Sequence, residues 1–129
     1  MEKILEKILL EVEKPARYIG AELNSFKKDW GKTPLKVALG YPDLYEIGTS
    51  NLGLLILYYL INQRDSFLCE RFFAPAADLA KILKEKKIPL FSLESKKSLK
   101  DFDLVGFSLQ TELTYTNILS VLILRKSLF

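Results

Sequence analysis

LKVALGYPDLYEIGTSNLGLLILYYLIN, residues 35–62, decides how the rest of the chain is read. Leu35 to Tyr41 is a short apolar run of strand character, Tyr41-Pro42-Asp43 breaks it, and an uninterrupted apolar helix begins near Ser50. Strand, loop and helix in that order open a parallel α/β sheet, where the loop leaving the carboxyl end of the first strand lies where ligands bind. Asp43, Tyr45, Gly48, Ser50, Asn51 and Gly53 are therefore the first candidates for a site.

Strand-like and helix-like segments keep alternating downstream, which argues for a parallel sheet covered by helices. Strands are expected at Leu35–Tyr41, Leu68–Phe73, Leu90–Leu93 and Leu104–Leu109, with helices near Ser50–Asn62 and Asp78–Lys86 and an apolar helix after Asn117. The expected fold is α/β, a three-layer Rossmann-like or flavodoxin-like parallel sheet in the order 3-2-1-4, occupying residues 35–129. Right-handed crossovers make that order natural. Residues 1–34 precede it as an amphipathic helix, with Ile4, Leu5, Ile8, Leu9 and Val12 on one face, and an irregular arm that Pro15 opens. Phe129 falls in or just after the last apolar helix, so the sheet reads as unfinished, a piece of a longer protein. Self-association through Ile118–Phe129 is expected from that apolar surface.

Composition removes more chemistry than it adds. The 129 residues contain no histidine, the usual general base and metal ligand near neutral pH. Cys69 is the only cysteine, so neither a disulfide nor a cluster-binding cysteine set can form within the chain. A reducing, cytoplasmic setting is the simplest inference. A net charge of +3 is too small to imply a nucleic-acid partner. Arg17, Lys27, Lys28 and Lys32 alternate with Tyr18, Phe26 and Trp30 in the arm, but Glu22 and Asp29 dilute the charge, and the aromatics read better as anchors to the core. The longest apolar run, Leu52–Ile61, is short of the roughly 20 residues that span a bilayer, so no membrane is expected.

A second loop follows the fourth expected strand and should face the first across a crevice. It offers Ser108, Gln110, Glu112 and Thr114, with Thr111, Tyr115, Thr116 and Asn117 alongside. Such neutral donors and acceptors suit recognition of amides, hydroxyls or a phosphate better than activation of a nucleophile. Each residue of the first loop also has a purely structural use: Ser50 or Asn51 can cap the helix, and Gly48 and Asp43 can shape the turn. The glycines match neither G-x-G-x-x-G nor G-x-x-x-x-G-K-[ST], and no carboxylate pair among Asp43, Glu46, Glu94, Asp101 and Asp103 is taken as catalytic.

The segments KPARYIGAELNS (14–25), VALGYPDLYEIGTSNLGLLILYYLIN (37–62), ERFFAPAADL (70–79), IPLFSLES (88–95) and DFDLVGFSLQTELTYTN (101–117) together resemble the N-terminal, cobalamin-binding-like region of large bacterial radical SAM proteins. The resemblance implies a Rossmann-like accessory domain, noncatalytic alone, that binds a cofactor or presents substrate to a downstream radical SAM domain of the same polypeptide. The iron-sulfur cluster and S-adenosylmethionine would belong to that downstream part. Cobalamin is the implied ligand of this region, yet Asp43-Leu44-Tyr45-Glu46-Ile47-Gly48 keeps the aspartate and glycine of D-x-H-x-x-G and places Tyr45 at the histidine, so no lower cobalt ligand is supplied. The S-x-L signature falls on Ser108-Leu109-Gln110, with Gln110 in place of leucine. The alternative is a degenerate Rossmann-like interaction module without a small-molecule ligand.

Overall fold

In the computed structural model, which describes residues 2–126, the sheet has three strands: β1 (Leu35–Tyr41), β2 (Phe67–Phe73) and β3 (Leu104–Phe107). Their order is β2-β1-β3, with β1 parallel to both neighbours. Residues 37–40 of β1 are buried, as a strand covered on both faces requires. Side chains alternate between the two faces with the period of two that a strand imposes. Val37 and Leu39 of β1 join Cys69 and Phe73 of β2 and pack on Leu54 and Tyr58 of helix α3 (Leu52–Asn62). Ala38 and Phe72 point the other way, into a larger core. That core takes Leu5 and Ile8 from α1 (Glu2–Glu11), Leu79 and Leu83 from α4 (Ala77–Glu85), and Val121 and Leu124 from α5 (Tyr115–Lys126). The result is three layers, with α3 on one face of the sheet and α1, α4 and α5 on the other. One short turn of helix, α2 (Tyr45–Gly48), links β1 to α3.

One strand of the expected four is absent. Leu90–Leu93 touches the outer edge of β2 on the expected side, through a single hydrogen bond from Leu93 N to Arg71 O at 2.7 Å. It then turns back on itself, with Ser92 N donating to Lys97 O and Phe91 bridged antiparallel to Ser98. Pro89 has no N–H to give a ladder, and Lys96 sits at φ 59°, so the chain reverses before a strand can run. The expected 3-2-1-4 therefore becomes β2-β1-β3, its order among the remaining strands unchanged. The part of the self-association expectation that rests on residues 127–129 lies outside the described residues. No helix among the described residues is long and apolar enough to cross a membrane.

The arm between α1 and β1 is irregular but tightly held. Tyr18 accepts a hydrogen bond from Ala76 N at 3.1 Å, and the Trp30 and Phe26 rings sit edge-on to Phe102 and Tyr58 at 5.0 and 5.6 Å. Lys28 Nζ donates to three backbone carbonyls, those of Asn62, Arg64 and Phe67, at 2.7, 2.9 and 2.6 Å. A cation there meets the negative end of α3 at Asn62 and ties it to Arg64 in the following turn and to Phe67 at the start of β2. Gly20 makes the arm's closest approach: its φ is +69°, and a Cβ on it would lie 2.1 Å from Leu93 O. Gly20→Ala would have to move backbone rather than a flexible side chain. It is expected to cost about 1–3 kcal/mol, read as a lower urea midpoint with an unchanged slope.

Candidate functional site

The loops at the carboxyl ends of β1 and β3 lie side by side, joined by Ser108 N to Gly40 O at 2.8 Å and by Asn117 Nδ2 to Pro42 O at 2.8 Å. Most of the loop side chains proposed from sequence are engaged locally. Asp43 Oδ1 accepts from Leu44 N at 2.7 Å, and its carbonyl accepts from Ala74 N, which ties the loop to the exit of β2. Asn51 is the N-cap of α3, accepting from Leu54 N at 2.9 Å. Ser50 Oγ donates to Ile47 O, and Thr114 Oγ1 donates to Thr111 O, each at 2.8 Å. Gly48 is buried where a Cβ would stand 2.3 Å from the Phe73 ring, so its smallness admits that ring. Gly53 stands exposed in the first turn of α3, Ser108 is half-buried, and Gln110 and Glu112 are exposed beyond β3.

Tyr45 is the exception, because its side chain turns inward to a cluster that the sequence did not announce. Its ring stands edge-on to Phe73 at 5.5 Å, and its hydroxyl donates to Glu22 Oε1 at 2.5 Å. Glu22 Oε2 accepts from Arg71 Nη2 at 2.6 Å. Arg71 Nε donates to Glu94 Oε1 at 2.8 Å and its backbone N–H to Glu94 Oε2 at 2.7 Å. The guanidinium lies 4.6 Å from the centre of the Tyr58 ring. The side chains of Arg71 and Glu94 are only 3% and 1% exposed, while Glu22 is 30% exposed. Glu22, Tyr45 with Tyr58, Arg71 and Glu94 come from the first four of the five segments quoted above. Residues far apart in the chain are thus brought to one point.

The signal that could have found Arg71 is the pair Glu70-Arg71 inside the otherwise apolar FLCERFF. Charges in a strand covered on both faces must find partners. Glu70 finds Ser95, whose Oγ donates to it at 2.7 Å, on the face opposite Arg71. Nothing local marks Glu22 and Glu94 as the partners of Arg71. The electrostatics follow from the geometry. Burial works against the charged Arg71, but Glu94 and Glu22 outweigh it and push its pKa above the ordinary value. Burial would lift the Glu22 carboxyl, yet hydrogen bonds from Tyr45 and Arg71 hold it below the usual range. Burial and the Glu22 carboxylate together push the Tyr45 phenol up to about 12.

A cleft of ≈ 350 Å³ opens beside this cluster, lined by Glu22, Asn24, Leu55, Tyr58, Tyr59 and Arg71 among others. Burial pushes the Cys69 thiol up to about 12, so it holds its proton at neutral pH and is a poor nucleophile. Among the described residues no three His, Cys, Asp or Glu side chains gather as a metal-binding set.

The family model described as radical SAM proteins, N-terminal, matches residues 53–127, more than half of the chain. Comparison with curated proteins and with solved structures returned no match.

Removing Arg71 alone leaves Glu94 buried beside apolar neighbours. Arg71→Met is expected to lower stability by about 3–5 kcal/mol in urea unfolding, and adding Glu94→Gln, which removes the orphaned charge, should recover part of that loss. The raised Tyr45 pKa has its own signature. An unfolded tyrosine ionises near 10 while the folded one keeps its proton to about 12, so the unfolded state loses its proton first and stability falls as pH rises through that window. Tyr45→Phe is expected to flatten the alkaline decline of the urea midpoint.

Proposed function

Because the chain belongs to the N-terminal family of radical SAM proteins, we propose that it is an accessory domain, noncatalytic alone, that docks through the outer face of α3 on a downstream radical SAM domain of the same polypeptide. The observation that carries this reading is the composition of α3, LGLLILYYLIN, which contains no charged residue. Its inner face, Leu54 and Tyr58, is fully used by the sheet. Its outer face exposes Leu52, Ile56, Leu57 and Leu60, with Leu52 69% and Leu60 60% exposed. A helix that covers a sheet and meets water normally carries charge on its outer face. Both α1 and α4 do so here, with Lys3, Glu6 and Lys7 on one and Lys81, Lys84 and Glu85 on the other. An apolar outer face on α3 fits burial against another apolar surface. Cytoplasmic residence belongs to the same reading, with Cys69 a buried free thiol.

A second reading, a cofactor or substrate held by the Asp43–Gly53 and Ser108–Asn117 loops, is favoured by the strand order. Reversal of direction at β1 and β3 makes their carboxyl ends the switch point of the sheet. For cobalamin specifically, the residues present do not fit a corrin held from below by a side chain. Tyr45 points its hydroxyl to Glu22, and the Phe73 ring fills the space over Gly48. Self-association through α5, which exposes Leu119 and Ile123 on the opposite side of the sheet, is a further use of apolar surface.

The test is a pair of glutamates, Leu57→Glu with Leu60→Glu, in the full-length polypeptide. Docking through α3 predicts a larger radius of gyration by X-ray scattering and faster amide exchange along α3, with circular dichroism unchanged. Identical scattering and exchange in the variant would overturn the docking reading. Saturable absorbance changes with hydroxocobalamin, lost in Asp43→Ala, would select the second reading, and a concentration-dependent mass abolished by Leu119→Glu would select the third.

A further inference from the structure

The cleft beside Arg71 has a polar edge with a definite pattern. Two of the three guanidinium nitrogens are engaged, Nε by Glu94 and Nη2 by Glu22. The remaining three of the five guanidinium N–H groups lie outside these two bonds, and Arg71 lines the cleft. Next to it stands the Glu22 carboxylate, whose oxygens each have lone pairs beyond those taken by Arg71 and Tyr45. The cleft therefore presents a donor and an acceptor side by side, because the ion pair that orders them also sets them together.

The rest of the lining is largely apolar and aromatic. Leu55 and the Tyr58 ring form one wall. Tyr59, 39% exposed, holds its ring edge-on to Phe26 at 5.3 Å and to Tyr58 at 6.1 Å. A ring so braced keeps a face for stacking. Asn24 adds an amide at the rim. Charge narrows the choice further. Glu22, Arg71 and Glu94 together carry a net negative charge when ionised, which disfavours an anion despite the arginine.

We propose that this cleft binds a small, uncharged planar ring that carries a lactam edge, a carbonyl acceptor beside an N–H donor, stacked on Tyr59 with its carbonyl on Arg71 and its N–H on Glu22. A trans peptide unit turns its C=O and N–H to opposite sides and cannot meet both groups at once. A lactam fixes them on one edge. The volume of ≈ 350 Å³ lies within the range of small-molecule pockets and suits a ring with one substituent. Lactam-form nucleosides represent the class. The assignment does not depend on docking through α3.

The probes are inosine and uridine, titrated into the protein by calorimetry and followed by the ring chemical shifts of Tyr59. Both should bind saturably. Methylation at the ring nitrogen removes the donor and keeps the carbonyl, so 1-methylinosine and 3-methyluridine should bind at least about tenfold more weakly, a ligand-side change that cannot unfold the protein. Tyr59→Ala should weaken inosine about tenfold through lost stacking, with circular dichroism unchanged because the ring is partly exposed. Absence of inosine and uridine binding at millimolar concentration would overturn the proposal. Equal affinity for the methylated probes, or an unaltered affinity in Tyr59→Ala, would overturn it as well.

Discussion

A guanidinium cannot sit inside an α/β core without neutralisation, and the way Arg71 is neutralised determines what else must stay in place. Glu94 reaches it from the segment along the open edge of β2, Glu22 from the arm before the sheet, and Tyr45 holds the second oxygen of Glu22 from the loop after β1. Tyr58 lies beneath the cation from α3. Five parts of the chain thus share one electrostatic condition. Buried ion pairs of this kind add little net stability over apolar residues of the same size, but breaking one is costly. Their effect is to penalise any arrangement in which one of these parts is out of register.

The sheet supplies the frame for this condition. Alternation along β2 sends Cys69, Arg71 and Phe73 to the α3 side, and Glu70 and Phe72 to the side of α1, α4 and α5. A slip of one residue would place Arg71 in the larger core and Phe72 against Glu22. The in-register pairing of β2 with β1, Leu35 opposite Phe67 through Tyr41 opposite Phe73, is therefore fixed by charge as well as by apolar burial.

Where the signals are local, the chain can be read directly. Strands at β1 and β2, the apolar helix after Ser50 and the cap at Asn51 follow from runs and turns within a few residues of each other. Leu90–Leu93 is the shortest of the expected strands, and Pro89 and the reversal at Lys96 override its β propensity. The loops after β1 and β3 were legible as positions, and the structure brings them together through Asn117 and Pro42. The Arg71 cluster was not legible, because its partners lie 23 and 49 residues away in the chain and each is an ordinary glutamate in its own surroundings. Only the anomaly of two charges in FLCERFF pointed to it.

Lys28, whose ammonium joins the carboxyl end of α3 at Asn62 to the carbonyls of Arg64 and Phe67, belongs to the same arm as Glu22 and Asn24. One wall of the cleft is consequently a strap fastened at the far end of the helix that forms the opposite wall. A ligand whose affinity for the cleft depends on how the strap is fastened would, by linkage, change the hold of Lys28 by the same factor by which Lys28 changes its affinity.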